Sequence, residues 1–427
     1  MTKSDAARSG ERGTESGPRQ ILRASLRLLH QRDLRVVLLC SAVLGLAVSF
    51  VLPFLSLFGT REVGMSLGVF GAFMTATAVV NVALSTVLAH RSDTLYSRRA
   101  MLLLGSGCGA FGYLGYAFTR DVWLLLLLGA VVLGIASLTF SQLFAHAREL
   151  LGRTEIPAQE APLYMNTFRM CFALSWTVGP ALAAGVLQRF SFVGLFCGAS
   201  ALYLLLFVLV FWFVPTAVRP VQAAAQPSLE AKPREPKVAA LLSNRNLLTW
   251  FIAFVLVYAA HSMSLSNMSL LVLKVLGGTE SHVGVIFSLA PLFELPFMLY
   301  FGLLATRVDS RRLILLAMGL AIVYYGALSC VRTPQQIYPL QFLSAAFVSV
   351  TSGVAITFFQ DRLPGRFGAA TNLYSNATRF GSTSGYLLFG VAASRFGHRG
   401  VYLVCAGLVA LALVLSYVSE RSRKLAV

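Results

Sequence analysis

Charge is scarce in this 427-residue chain: only 12% of residues are charged, and acidic side chains are the rarer kind, 17 Asp and Glu against 35 Lys and Arg. A soluble globular domain draws about a quarter of its residues from that set, so a soluble two-domain enzyme is excluded. The six cysteines, Cys40, Cys108, Cys171, Cys197, Cys330 and Cys405, sit within or beside apolar runs and include no close CxxC pair. They read as small hydrophobes, not as a disulfide scaffold, a metal site or a redox centre. The chain has no HExxH, no GxSxG elbow, no paired membrane aspartates and no G-x-x-x-x-G-K-[ST] loop. Those absences argue against an intramembrane enzyme and against ATP hydrolysis within the chain, and imply no cofactor and no metal. The first 35 residues are polar and lack the short apolar region and cleavage site of a signal peptide, so 1–35 is expected to be a cytoplasmic tail.

What the chain has instead is 57% hydrophobic residues and a mean hydropathy of +0.73, arranged in apolar runs of about 20 residues, the length that crosses a bilayer as a helix. Continuous apolar runs exclude a β-barrel, whose strands would alternate. Spans are predicted near 36–57, 67–89, 99–118, 122–145, 162–186 and 190–214, and again near 246–270, 281–304, 313–331, 337–359, 367–391 and 399–418. Between the two sets lies a linker, 215–245, with Pro215, Pro220, Pro227, Pro233 and Pro236. The expected fold is all-α and integral to the membrane: twelve transmembrane helices in two six-helix bundles, 36–214 and 246–418, with a short tail at 419–427.

With both termini on one side, the tails and even-numbered connections hold 26 Lys and Arg and the opposite loops hold 7. The positive-inside rule then puts the termini and the linker in the cytoplasm. Basic residues bordering a membrane do not form the single exposed surface that nucleic acid requires, so the net charge of +18 does not imply a nucleic-acid partner.

The two halves repeat each other. Leu88-Ala89-His90-Arg91-Ser92-Asp93 answers Leu304-Ala305-Thr306-Arg307-Val308-Asp309 at an offset of 216, and Arg98-Arg99 answers Arg311-Arg312 at 213. Tyr164 through Arg169 answers Tyr374 through Arg379 at 210, in the fifth span of each half. A duplicated bundle of this kind provides a central path that can open alternately to either side.

These features resemble the major facilitator superfamily, and within it the bacterial sugar efflux transporter family, the Set type. The resemblance covers roughly 33–418 and rests on Leu88 to Asp93 with Arg98 and Arg99, on Asn166 with Arg169, on Phe359-Gln360-Asp361-Arg362-Leu363-Pro364-Gly365 with Gly368 to Thr371, and on Asn376 to Arg379. The first basic-acidic loop lacks the glycine-rich opening usual in the superfamily, a departure that itself resembles the sugar efflux group. The resemblance implies a secondary transporter of the bacterial inner membrane that exports sugars or glycosides in exchange for protons. It also implies that Arg91, Asp93, Arg98, Arg307, Asp309, Arg311, Asp361 and Arg362 act as conformational gates on the cytoplasmic side. A few charges enforcing topology would leave the same pattern.

Inside the spans, Arg169 and Arg379 would be costly facing lipid and are expected to face protein or a watery path. With Asn166 and Asn376 three residues earlier, they offer planar donors and amide groups to sugar hydroxyls, or alternatively cap loops near the cytoplasmic end. Glu294, between Pro291 and Pro296, is the one acid well inside a span and the first choice for proton coupling, the prolines being expected to open the helix around it. A structural pair with Arg379 or another polar group is the alternative. His261, Ser264 and Asn267 recur at helical spacing in the seventh span, so His261 and Asn267 are candidate substrate-lining residues. Trp176 and Tyr386 are candidates for stacking on a sugar ring, and Trp123 and Trp250 for interfacial anchors. The partners implied are a sugar or glycoside, protons and membrane lipid, with one chain sufficient as a functional monomer. A multidrug or other metabolite exporter is the competing reading.

Overall fold

The computed structural model describes residues 31–95, 97–153, 161–214, 244–363 and 365–425. Most of the N-terminal tail and of the linker lies outside that set. Within it the chain forms helices α1 Arg32–Glu62, α2 Leu67–Leu95, α3 Arg98–Phe118, α4 Val122–Leu151, α5 Ala161–Phe213, α6 Arg245–Val275, α7 Glu280–Leu304, α8 Ser310–Cys330, α9 Pro334–Arg362 and α10 Phe367–Leu425. Each contains a stretch apolar and long enough to cross a membrane. Helices are the expected outcome, because backbone N–H and C=O groups in hydrocarbon must be satisfied within their own segment.

Ten continuous helices stand where twelve separate spans are predicted. The two long ones account for the difference: α5 has 53 residues and α10 has 59, about 80 and 90 Å at 1.5 Å per residue, against a bilayer core of about 30 Å. Each contains one non-helical residue close to a predicted break, Ser191 with φ 56° and ψ −167° in α5, and Gly397 with φ 68° and ψ 177° in α10. The helix in α10 also continues to Leu425 through residues expected to form a tail.

Helix starts coincide with polar caps. Ser97, Asp121 and Asp309 accept hydrogen bonds from the backbone of Ala100, Leu124 and Arg311. Asn244 accepts from Asn246 and Leu247, and Thr279 pairs with His282. Each satisfies donors that the first helical turn leaves free. Pro53 introduces a tight turn at Leu52–Phe54 within α1. Pro291 and Pro296, in contrast, do not interrupt α7, which runs from Glu280 to Leu304.

Within the N-terminal half α5 packs on α1 and α3; within the C-terminal half α10 packs on α6 and α8, and α7 on α9. Small residues permit the closest crossings: Gly45 of α1 lies against the backbone of Phe172, and Gly381 and Gly385 of α10 against Val255 and Ala259 of α6. Cross-half contacts complete the frame, mainly α5 with α7 and α10 with α2, with the Leu52–Leu57 part of α1 against α6.

The halves also repeat in detail that motif comparison leaves out. The end of α1 widens into a π-type turn at Phe58–Glu62 and the end of α6 does so at Leu271–Val275. Both are followed by a left-handed glycine, Gly64 with φ 75° and Gly277 with φ 63°, a conformation that side-chain-bearing residues resist. The offset is 213 throughout.

Candidate functional site

Alternating helix directions put the connections α1–α2, α3–α4, α6–α7 and α8–α9, with Ser191 and Gly397, on one face, the far face. The start of α1, the ends of α5 and α10 and the start of α6 lie on the other, the linker face. The halves meet toward the far face along two seams. In one, a Cβ at Gly71 of α2 would stand 2.6 Å from the Tyr386 carbonyl oxygen and 2.9 Å from Gly390 Cα of α10. In the other, a Cβ at Gly284 of α7 would stand 2.9 Å from the Pro180 carbonyl oxygen and 2.8 Å from Ala184 Cβ of α5. Gly71 and Gly284 are 213 apart, and Pro180 and Gly390 are 210 apart, so the two seams are the same contact made twice. Arg61 and Glu280, 3.5 Å apart, and Gln188 with Ser281, at 3.0 Å, add polar links on that face, and Ser269 of α6 donates to the Pro53 carbonyl of α1.

The packed core follows the same division. One apolar cluster joins the far-face part of the N-terminal half, including Phe58, Phe70 and Phe196, to the whole C-terminal half. A separate cluster, including Leu34, Cys40, Leu143 and Phe168, fills the linker-face part of the N-terminal half. Among the described residues the apolar core therefore joins the halves at the far face and divides toward the linker face.

Arg169 and Arg379 occupy equivalent positions in that frame. Each stands eleven residues before the seam residue of its own helix, Pro180 or Gly390. Eleven residues return a helix to within about 20° of the same direction and advance it about 16 Å. Both side chains are exposed on the helix face that meets the other half, and neither has a hydrogen-bond or ion-pair partner among the described residues. Helical register aims both toward the other half, on the linker side of the seams. Asn376, one turn before Arg379, is half-buried, whereas the side chain of Asn166 lies outside the described set.

Glu294 is turned about 80° away from the seam direction of Gly284, toward its own half. Ser349 of α9 donates to the Glu294 backbone carbonyl at 3.2 Å, and the carboxyl group is an electrostatic neighbour of Tyr258. Tyr258 and Tyr374 share a 2.7 Å hydrogen bond, and both reach the Thr351 carbonyl. The alternative pair between Glu294 and Arg379 is not formed. His261 packs edge-on to Tyr258 and Phe347 and lines a cavity of about 70 Å³ with Ser264, Tyr324 and Gln341. Asn267 does not join it. Its side chain is fully buried, donates to the His398 carbonyl at 2.7 Å and contacts His398 Nδ1 at 2.8 Å, fastening α6 to the turn at Gly397.

A larger cavity, about 300 Å³, lies inside the N-terminal half between α1, α2, α3 and α4, with Tyr203 and Tyr386 in its wall. A small cavity of about 40 Å³ at the junction shares Leu52, Leu55, Met74 and Tyr386 with it, and shares Leu265 and Phe287 with the His261 cavity. The three form a row across the molecule. Tyr386 thus stands in the walls of the larger and the junction cavities, whereas Trp176 packs against Phe172.

Residues 37–336 and 250–426 match the family model described as Major Facilitator Superfamily. The chain belongs to the major facilitator superfamily. A Deinococcus radiodurans protein named for sugar efflux is 34% identical over 390 residues, covering 90% of this chain and 97% of that one. The Salmonella paratyphi B multidrug resistance protein MdtG is 23% identical over 407 residues, 93% of this chain and 97% of its own. Among solved structures a point mutant of the nucleoside transporter NupG superposes with a TM-score of 0.75 at 15% identity, over 92% of this chain and 99% of that one, and attests the fold. As a superfamily member with this resemblance to bacterial sugar efflux transporters, the chain is a multi-pass inner-membrane transporter and not an enzyme. Among the described residues no group of three His, Cys, Asp or Glu is arranged to hold a metal.

Several of the residues expected to act as gates make contacts within their own halves. Arg98 bonds Glu149 at 2.9 Å and Gln142 at 2.9 Å, tying α3 to α4. Arg362 bonds Asn246 and lies over the rings of Phe358 and Trp250, 4.3 and 5.2 Å from their centroids. Trp250 is accordingly buried, not an interfacial anchor, whereas Trp123 is 77% exposed and fits that role. Asp309 caps α8, and Arg307 and Asp361 are exposed. Arg311 donates through its backbone to Asp309. The side chains of Arg91 and Asp93 lie outside the described set. Sequence reasoning passed over Thr77 and Asn81 of α2, both of which line the larger cavity. The signal that finds Asn81 is the repeat itself, since 213 residues separate it from Glu294.

Proposed function

We propose that this protein exports sugars or glycosides from the cytoplasm in exchange for protons by alternating access. The observation that carries the reading is the pair of equivalent, exposed arginines on the inter-half faces of α5 and α10, opening toward the linker face while both seams are closed at the far face. Counting α5 and α10 as two crossings each, broken at Ser191 and Gly397, gives twelve crossings, six in each half. The Lys and Arg surplus then puts the linker face in the cytoplasm. An exporter loads its cargo from that side. Arg169 and Arg379, with Asn166 and Asn376, supply hydrogen bonds to sugar hydroxyls on entry, His261 lines the C-terminal cavity, and Glu294 exchanges the proton. The gates are the linker-face clusters around Arg91, Asp93, Arg98, Arg307, Asp309, Arg311, Asp361 and Arg362. One chain contains both halves and operates as a monomer.

The relative named for sugar efflux supports the substrate class. The apolar lining of the cavities favours one other reading, a multidrug exporter. Purified protein in liposomes, assayed for counterflow of labelled glucose, lactose and methyl glucoside with and without a pH gradient, separates the two. Saturable sugar counterflow, with net flux changed by the gradient, is the expected result. Folded protein that exchanges no sugar and transports lipophilic cations would overturn it.

A further inference from the structure

Helices α2 and α7 are counterparts at an offset of 213, with Gly71 and Gly284 each sitting at a seam. Ten residues further along, the same offset carries Glu294 onto Asn81. Ten residues turn a helix about 80° from the seam direction, so both side chains face the interior of their own half. They differ in chemistry, one a carboxyl and the other a neutral amide.

The surroundings of Asn81 form a built pocket. Asn81 Oδ1 and Thr77 Oγ1, one turn apart, are buried without a hydrogen-bond partner among the described residues, and both line the cavity of about 300 Å³. Buried polar atoms are ordinarily satisfied, so two left open beside a void mark a place for a ligand's groups. Gly134 of α4 sits against Asn81 Oδ1 so closely that a methyl group there would collide with it. Tyr113, Tyr203 and Tyr386 supply ring surfaces, the last of them from the opposite half.

We propose that this cavity is the sugar pocket, with Asn81 and Thr77 its specificity-determining residues, and that Asn81 serves the sugar where its counterpart Glu294 serves the proton. The assignment rests on the sugar-export reading. A ligand hydroxyl donates to Asn81 Oδ1, a neighbouring hydroxyl bonds Thr77 Oγ1, and the apolar face of the ring lies on tyrosine. Among the described residues the cavity wall contains no Asp, Glu, Lys or Arg, so the ligand is uncharged; a lipophilic cation would find no counter-charge. At about 30 Å³ per water the space holds roughly ten waters, enough for one saccharide unit. Tyr386 ties pocket occupancy to the α2–α10 seam, since its backbone meets Gly71 and its ring lines the cavity.

The test is counterflow of labelled glucose, lactose and methyl glucoside by the full chain in liposomes, as a function of sugar concentration. Asn81→Ala should raise the half-saturating concentration about tenfold, the worth of one hydrogen bond left unmade in a buried site, at a maximal exchange rate near that of the unaltered protein. Thr77→Val keeps the shape and removes the hydroxyl, and Gly134→Ala displaces the amide while leaving Asn81 in place. Both should shift half-saturation in the same direction, and they carry the test should Asn81→Ala not fold. Sugar exchange by the unaltered protein with half-saturation unchanged in the folded variants would overturn the pocket assignment and leave the export reading standing. So would a lowered maximal rate at unchanged half-saturation, which marks a structural role. Absence of sugar exchange in the unaltered protein refutes the export reading and the pocket with it.

Discussion

Adding one methyl group at Gly71 and another at Gly284 should loosen the far-face closure without replacing any cavity-lining side chain. The ideal Cβ at Gly71 meets backbone atoms at 2.6 and 2.9 Å, and the one at Gly284 meets a backbone oxygen at 2.9 Å and a Cβ at 2.8 Å. Backbone cannot swing aside as a long side chain can, so the helices must separate. Overpacking of this kind costs about 1–3 kcal/mol per site, and the cost falls only on the state in which the seam is closed. Each substitution therefore shifts the balance toward far-face opening by about 5- to 150-fold. The two seams contain different residues, so the double variant should approach the sum of the singles.

The reporter is Ser266, buried beside the junction cavity. In a Ser266→Cys, Cys330→Ser background, which removes the exposed native thiol, a membrane-impermeant maleimide added to intact cells should react slowly. Adding Gly71→Ala, Gly284→Ala or both should accelerate it progressively. Labelling unchanged to within about twofold in the double variant would refute the argument that these contacts hold the far face shut.

The ion pair between Arg61 and Glu280 should matter far less: at 3.5 Å with Arg61 60% exposed, it is worth under about 1 kcal/mol, and Arg61→Gln should change the same labelling rate less than about fivefold. Ser191 occupies backbone space that is essentially reserved for glycine, the residue found at the equivalent turn, Gly397. Strain there costs about 1–3 kcal/mol, so Ser191→Gly should raise the thermal midpoint in detergent and Gly397→Ala should lower it; a lower midpoint for Ser191→Gly would contradict the strain argument. Glu294→Gln should leave sugar exchange intact and abolish acceleration by a pH gradient, and a persisting gradient response would remove Glu294 from the proton path. Arg169→Gln and Arg379→Gln remove charges that must be buried or paired when the linker face closes, a penalty of several kcal/mol for an unpaired ion. Both should therefore speed Ser266→Cys labelling from the far face, and slower labelling would show that the arginines stabilise closure instead.

The spans, the duplication and the membrane class were legible because a bilayer demands about 20 apolar residues per crossing and leaves few alternatives. The turns inside α5 and α10 were harder to see as helix-continuous, since tight reversals at Ser191 and Gly397 use one residue each. Asn267 shows where periodicity misleads. Residues 261, 264 and 267 advance in steps of three, each step falling about 60° short of a full turn, so Asn267 points about 120° away from His261. It went to the His398 turn as a result. The prolines flanking Glu294 promised an opened helix, yet neighbouring helices support α7 through both, as membrane helices allow. Asn81 escaped because a single amide among Val and Ala carries no motif. The offset that pairs it with Glu294 acquires meaning only once Gly71 and Gly284 are known to make one contact twice.

That repeated contact constrains how the protein can move. Gly71 with Gly390 and Gly284 with Pro180 are related by the duplication, so a rotation of one half against the other that parts one seam parts its counterpart. The same rotation carries Arg169 and Arg379, about 16 Å away on the same helix faces, toward the opposite half. Far-face opening and linker-face closure are then one motion with two ends, and what differs between the halves sets which way it runs. The frame is shared, whereas the side chains ten residues beyond each seam glycine are not: Asn81 in one half and Glu294 in the other. On the proposed reading, a cargo bound to the amide and a proton bound to the carboxyl would act on the same pair of helices, α2 and α7, whose seam glycines open together. The proposed exchange of the two ligands would then need no separate relay, because each would bear on a seam that cannot part alone.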